Sequence, residues 1–171
     1  FDQDISNWST TQGTATWDAA SRSVYLQGPS GVSIEQTIAG LDTSKTYYYT
    51  ARLRRTSGTG NFGVDVDGTL DYVSGSSYTN YTASGFFTPS SSSITFEVWG
   101  GTGLYLYADD IEVYEANTDG SITSTVKANP DYGFSIVSYT GTGSAATIGH
   151  GLTSQPEMVI IKRRGAAIDW V

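Results

Sequence analysis

The stretch LYLYADDIEVYE, residues 104–115, says more about the architecture than any other, because its side-chain alternation changes phase around two adjacent carboxylates. Leu104, Leu106 and Ala108 share one parity, whereas Ile111 and Val113 share the other. A β-strand sends successive side chains to opposite faces, so both sets reach one core only if the chain bulges or bends between them. Asp110 sits where that correction must occur. Continued Leu104 parity would turn it inward, where an ionised carboxylate needs hydrogen bonds, a cation or water. Alternatively, Asp109 and Asp110 mark a solvated bend between two short strands.

Working outward, further strand-like pieces follow one another at short spacing: TATW (14–17), RSVYLQ (22–27), VSIEQTI (32–38), KTYYYTARLR (45–54), NFGVDVD (61–67), YTNYTASGFF (78–87) and SITFEVWG (93–100). Gly, Ser, Asp or Pro fill most gaps, which predicts turns and an all-β chain built as an antiparallel jelly-roll β-sandwich over residues 1–116. The character changes after Ala116. Residues 117–123 read as a linker, and residues 124–171 as the start of a second β domain, truncated, with FSIVSY and EMVIIKRR as strands. Both ends of the chain read as cuts.

Bulk properties narrow the function classes. Twelve Tyr, four Trp and twenty Gly in 171 residues favour β structure, and the absence of cysteine excludes disulfides and thiolate metal sites. The net charge of −8 is uneven: residues 1–120 carry fourteen acids against five bases, residues 121–171 three against four. That acidity argues against nucleic-acid backbone binding. No run approaches the roughly 18–20 apolar residues of a membrane-spanning helix.

Three strands carry an unusually aromatic outward set. In residues 45–54, Tyr47, Tyr49, Ala51 and Leu53 form the apolar parity, leaving Tyr48 and Arg52 outward; by the same alternation Glu97, Trp99, Tyr105 and Tyr107 point out. Flat rings cover the C–H faces of a pyranose while flanking polar groups bond its hydroxyls, so these six residues are candidates for carbohydrate binding. The alternative is ordinary sheet-surface or interface aromatics. Parity alone does not bring the six together. For a cation, Asp110 is the candidate ligand, with Asp2 or Asp4 from the opening segment as partners; hard oxygen donors favour a structural Ca2+.

Catalytic readings are weaker. Glu97 and Asp110 are two carboxylates, but nothing in the sequence sets the separation that glycoside hydrolysis requires. His150, the single histidine, lies in IGHGL, where its flanking glycines suggest a tight turn. GxSxG, HExxH and phosphate-cradling patterns are absent. These readings together favour a protein that is not an enzyme.

Two resemblances cover nearly the whole chain. VSIEQTIAGLDTSKTYYYTARLR, YTASGFFTPSSSSITFEVWG and LYLYADDIEVYEA resemble the jelly-roll modules related to families 4 and 9 of carbohydrate-binding modules. That resemblance implies a β-sandwich with an inner-face sugar groove and a structural calcium held partly by Asp110 in the final strand. The segment from Gly120 onward, with GFSIVSYTGTG, ATIGHGL and PEMVIIKRR in order, resembles one that recurs in bacteriophage tail-fibre and related virion proteins. There it opens a larger lectin-like sandwich. The pair implies a virion structural protein, exposed on a tail or capsid appendage, homo-oligomeric with other virion proteins as partners, that contributes to attachment to a host-surface glycan. A purely architectural appendage and a polysaccharide-degrading tail enzyme are the alternatives.

Overall fold

The computed structural model describes residues 5–74 and 80–165. Asp2 and Asp4 lie outside them. The chain divides into two compact units, residues 1–116 and 117–171. In the first, alternation of period two yields β1 (Ser9–Gln12), β2 (Thr14–Asp18), β3 (Ser23–Gln27), β4 (Val32–Ala39), β5 (Tyr47–Ser57), β6 (Phe62–Val66), β7 (Thr69–Val73), β8 (Asn80–Phe87), β9 (Ser93–Gly100) and β10 (Tyr105–Glu115). They form two five-stranded antiparallel sheets, ordered β1-β4-β9-β6-β7 and β2-β3-β10-β5-β8. This is a jelly-roll β-sandwich.

The inner faces supply one core. Val24, Leu26, Leu53, Leu104 and Leu106 of the second sheet and its approach meet Val32, Ile34, Phe62, Phe96 and Val98 of the first, all fully buried. Burying each such side chain contributes roughly 1.5–3 kcal/mol over leaving it in water. Phe96 anchors the aromatic part, edge-on to Trp8 and Tyr49 at centroid distances of 6.3 and 6.2 Å.

The phase change in residues 104–115 is a β-bulge within one continuous strand. Along β10 the register against β5 slips between Asp109 and Glu112, and Asp110 takes φ 49°, a left-handed conformation that Asp tolerates better than most residues. Its backbone N–H donates to Asp109 Oδ1 at 2.8 Å. The extra residue returns Ile111 and Val113 to the core side and swings Asp110 out, so no lone carboxylate is buried.

A second feature ties the sheets together at their β7 and β8 edges. Asp71 accepts from the hydroxyls of Tyr49 (3.0 Å) and Tyr81 and from the Ser84 N–H (3.1 Å). Burial first, then the hydrogen bond to Asp71, pushes both phenols above the ordinary tyrosine value.

In the second unit β11 (Thr125–Asn129) pairs with β12 (Phe134–Ser138) across a 3-10 turn at Pro130–Tyr132. Asn129 caps that turn and Gly133 closes it at φ 65°. Residues 117–123, read as a linker, are hydrogen-bonded into this unit: Asn117 and Ser124 exchange backbone bonds at 2.9 Å, and the Ser121 N–H donates to Thr147 O at 3.0 Å. FSIVSY forms β12 as its pattern suggests, but EMVIIKRR forms no strand, and Met158–Ile161 are exposed on both parities. Apolar alternation makes a strand only where another strand accepts its backbone bonds. Among the described residues no helix is long and apolar enough to cross a membrane.

Candidate functional site: two outer faces of one sandwich

The outer face of the second sheet carries a row of side chains placed by register. Thr16, Tyr25, Tyr107, Arg54 and Asn80 lie side by side across β2, β3, β10, β5 and β8. The Tyr25 ring lies 4.8 Å from Tyr107 and 6.2 Å from Tyr105, one row along, and the Arg54 guanidinium sits 4.3 Å over Tyr107. Three rings and a cation thus form a shelf, with Tyr105 37% exposed at its rim. Burial first, then the neighbouring Tyr107 and Tyr105, raises the Tyr25 phenol above its ordinary value. Beside the shelf, Asp18 accepts from the Ser21 hydroxyl (2.8 Å) and the Ala20 N–H (3.0 Å), which hold its carboxyl below the usual value.

Farther along this face, Arg52 faces both carboxylates of the bulge, 3.4 Å from Asp109 and 3.2 Å from Asp110. Beyond them Tyr48 packs on Phe86 and Tyr114 at centroid distances of 5.2 and 5.4 Å. Tyr48 stands six residues from Arg54 on β5, about 20 Å along an extended strand. It belongs to a separate aromatic group.

The outer face of the first sheet is built from other chemistry. Its strands contain no Lys or Arg. One row runs Ser33, Trp99, Gly63 and Tyr72, and the next runs Glu35, Glu97, Asp65 and Leu70. A Cβ on Gly63 would fall 2.2 Å from Asp71 O and 2.5 Å from Tyr72 Cβ, so only glycine fits between Trp99 and Tyr72, whose rings lie 5.7 Å apart. Ser33 donates to Glu97 Oε1 and accepts from the Thr11 hydroxyl at 2.8 Å.

The six residues expected to share a sugar surface are therefore divided. Tyr105 and Tyr107 stand together, Arg52 is engaged at the bulge, Tyr48 lies beyond it, and Glu97 and Trp99 are on the opposite side of the sandwich. Glu97 and Asp110 likewise occupy opposite outer faces and cannot flank one glycosidic bond. Sequence reasoning missed Tyr25 and Tyr72, and left Arg54 out of the site although it shares the outward parity of Arg52. The parity of Val24 and Leu26 places Tyr25 outward and was a usable signal; nothing local shows that β3 pairs with β10. Among the described residues, no three His, Cys, Asp or Glu side chains converge to hold a metal, and the Asp110 carboxylate faces a guanidinium.

Residues 110–171 match the model of a domain of unknown function, DUF7483. No curated protein matches the sequence. Among solved structures, the chain is similar to an arabinose-bound MgGH51 α-L-arabinofuranosidase at 14% identity and TM-score 0.49, covering 65% of this chain and 23% of that one. It is similar to a family 16 carbohydrate-binding module at 21% identity and TM-score 0.46, covering 66% and 93%. A CBM4 structure matches at 17% identity and TM-score 0.48, covering 66% and 92%. The chain thus spans less than a quarter of the arabinofuranosidase, and none of these likenesses assigns it a ligand or an activity.

Proposed function

We propose that the first unit is a glycan-binding module without catalytic activity, working through the tyrosine shelf on the outer face of its second sheet. The observation that carries this reading is the register that sets Tyr25, Tyr105 and Tyr107 on adjacent strands, with Arg54 stacked on Tyr107 and the Asp18 carboxylate beside it. Rings at that spacing present an apolar platform, and the charged rim supplies directional donors and acceptors for hydroxyls. The biological setting we propose is a bacteriophage virion, with the chain a homo-oligomeric tail-fibre or appendage component that touches a host-surface glycan. The ordered phrases GFSIVSYTGTG, ATIGHGL and PEMVIIKRR support that setting.

A glycan array probed with the full chain tests the shelf. Binding that falls in Tyr105→Ala and Tyr107→Ala but persists in Trp99→Ala is expected; binding indifferent to both tyrosines would sink the reading. A structural Ca2+ on Asp110, with Asp2 or Asp4, is proposed from the carbohydrate-module resemblance. Such an ion would have to displace the Arg52 guanidinium, and equal melting temperatures with and without chelator would remove it.

A further inference from the structure

The outer face of the second sheet carries two arginines that are engaged differently. Arg52 and Arg54 stand two residues apart on β5 with the same outward parity. Arg52 is paired with the bulge carboxylates, 3.4 Å from Asp109 and 3.2 Å from Asp110. Arg54 instead covers its cross-strand neighbour Tyr107, with the guanidinium 4.3 Å from the ring centre, and is exposed to solvent. Among the described residues it forms no ion pair. A guanidinium held over a ring face gives its charge to the π cloud but none of its N–H donors, whose fork matches a carboxylate or a sulfate.

The charges of this sheet are distributed unevenly about the row Tyr25, Tyr107, Arg54. Its carboxylates, Asp18 on β2 and Asp109, Asp110, Glu112 and Glu115 on β10, all fall on the bulge side of that row. On the other side the next row is Thr14, Gln27, Tyr105 and Ser57, all uncharged. The turns at that end, residues 28–31, 58–61 and 101–103, contain no Asp, Glu, Lys or Arg. Arg55, the charged strand residue there, is buried. In a chain of net charge −8, an anion arriving at the Tyr105 end of the shelf thus meets an exposed guanidinium with no carboxylate beside it. The bulge acids nearest to it on the far side are already paired with Arg52.

We propose that the glycan taken by the tyrosine shelf is acidic, its pyranose ring resting on the tyrosines and its carboxylate or sulfate group bound by Arg54. The inference rests on the glycan-binding reading above, and adds to it the charge class of the ligand and the residue that selects it. A neutral sugar would leave the Arg54 donors to water, whereas an anionic one forms charge-assisted hydrogen bonds with them.

Binding to the full chain is measured by calorimetry with matched pairs of oligosaccharides: galacturonate and alginate oligomers beside their carboxyl-reduced forms, and carrageenan oligomers beside their desulfated forms. At least one acidic member is expected to bind about fivefold or more tightly than its neutral counterpart, a preference that shrinks as salt is raised. The pair that responds distinguishes a carboxylate from a sulfate ester. Arg54→Gln should bring the acidic member down to the level of the neutral one, and Arg54→Lys, a point charge without the fork, should restore only part of the difference. Arg52→Gln removes the same formal charge and should leave the preference in place. The proposal is overturned if acidic and neutral members bind alike, if only neutral members bind, if Arg54→Gln with a parental melting temperature keeps the preference, or if Arg52→Gln lowers it equally. Neutral-glycan binding that is lost in Tyr105→Ala, with no acidic preference in the parent, overturns the charge class alone. Absence of binding to every glycan overturns the shelf with it.

Discussion

The two outer faces of the sandwich arise from the same alternation yet present opposite chemistry. The first sheet shows Trp99 and Tyr72 beside three neighbouring acids, Glu35, Glu97 and Asp65, with no basic residue in its strands. The second shows tyrosines interleaved with Arg52 and Arg54, and its acids are partnered at the bulge and by Ser21. Like charges directly opposite one another across strands are unfavourable, so the first face carries a cost that the second avoids by mixing signs. Aromatic content alone therefore does not identify a binding face; the polar groups around the rings distinguish the two.

The largest effect should come from removing what both faces share. Phe96→Ala empties a fully buried site touching Trp8 and Tyr49, and a loss of about 3–5 kcal/mol is expected in urea unfolding, with both faces failing together. A loss within the range of ordinary surface substitutions would show that the sheets do not depend on one core.

Next is the link between the sheets at their edges. Asp71→Ala leaves two phenols and the Ser84 N–H without their acceptor, and should cost about 1–3 kcal/mol in the same assay. The pH dependence carries a definite sign. Because the folded state raises the Tyr49 and Tyr81 phenols, it retains protons that the unfolded chain releases near pH ~10, so stability is fully present below that pH and falls as pH rises beyond it. Replacing both tyrosines by Phe should flatten the alkaline decline; an unchanged decline would assign it elsewhere.

One substitution on each face separates the two. Tyr105→Ala should weaken glycan binding about tenfold, the loss of roughly one ring contact, while Trp99→Ala should leave it within error. The reverse outcome would move the site to the first sheet. Least should follow from Arg52→Ala. Its ion pairs are exposed, so stability should change by less than about 1 kcal/mol, and that difference should shrink in high salt. A larger loss would mean that the bulge depends on the guanidinium rather than on the backbone conformation of Asp110.

Much of the sandwich was legible because burial repeats with period two. The inward set of β5 and the slip at Asp110 both follow from reading alternate residues. β1 escaped notice because STTQ contains no apolar residue and forms an exposed edge strand. β7 was hidden because Asp71, the central residue of TLDYV, points inward to two tyrosines, an arrangement that hydropathy reads as surface. EMVIIKRR failed in the opposite direction, with an apolar pattern that lacks a pairing partner among the described residues.

By itself the sequence determined which side chains leave the core and where the alternation must slip, since both are consequences of local backbone geometry. Only the tertiary structure decided that Tyr25 stands beside Tyr107 and that Glu97 and Trp99 lie on the other side of the molecule. Strand pairing joins residues far apart along the chain, β3 with β10 and β4 with β9, and the sheet each strand enters is settled by the packing of the whole core rather than by any segment within it.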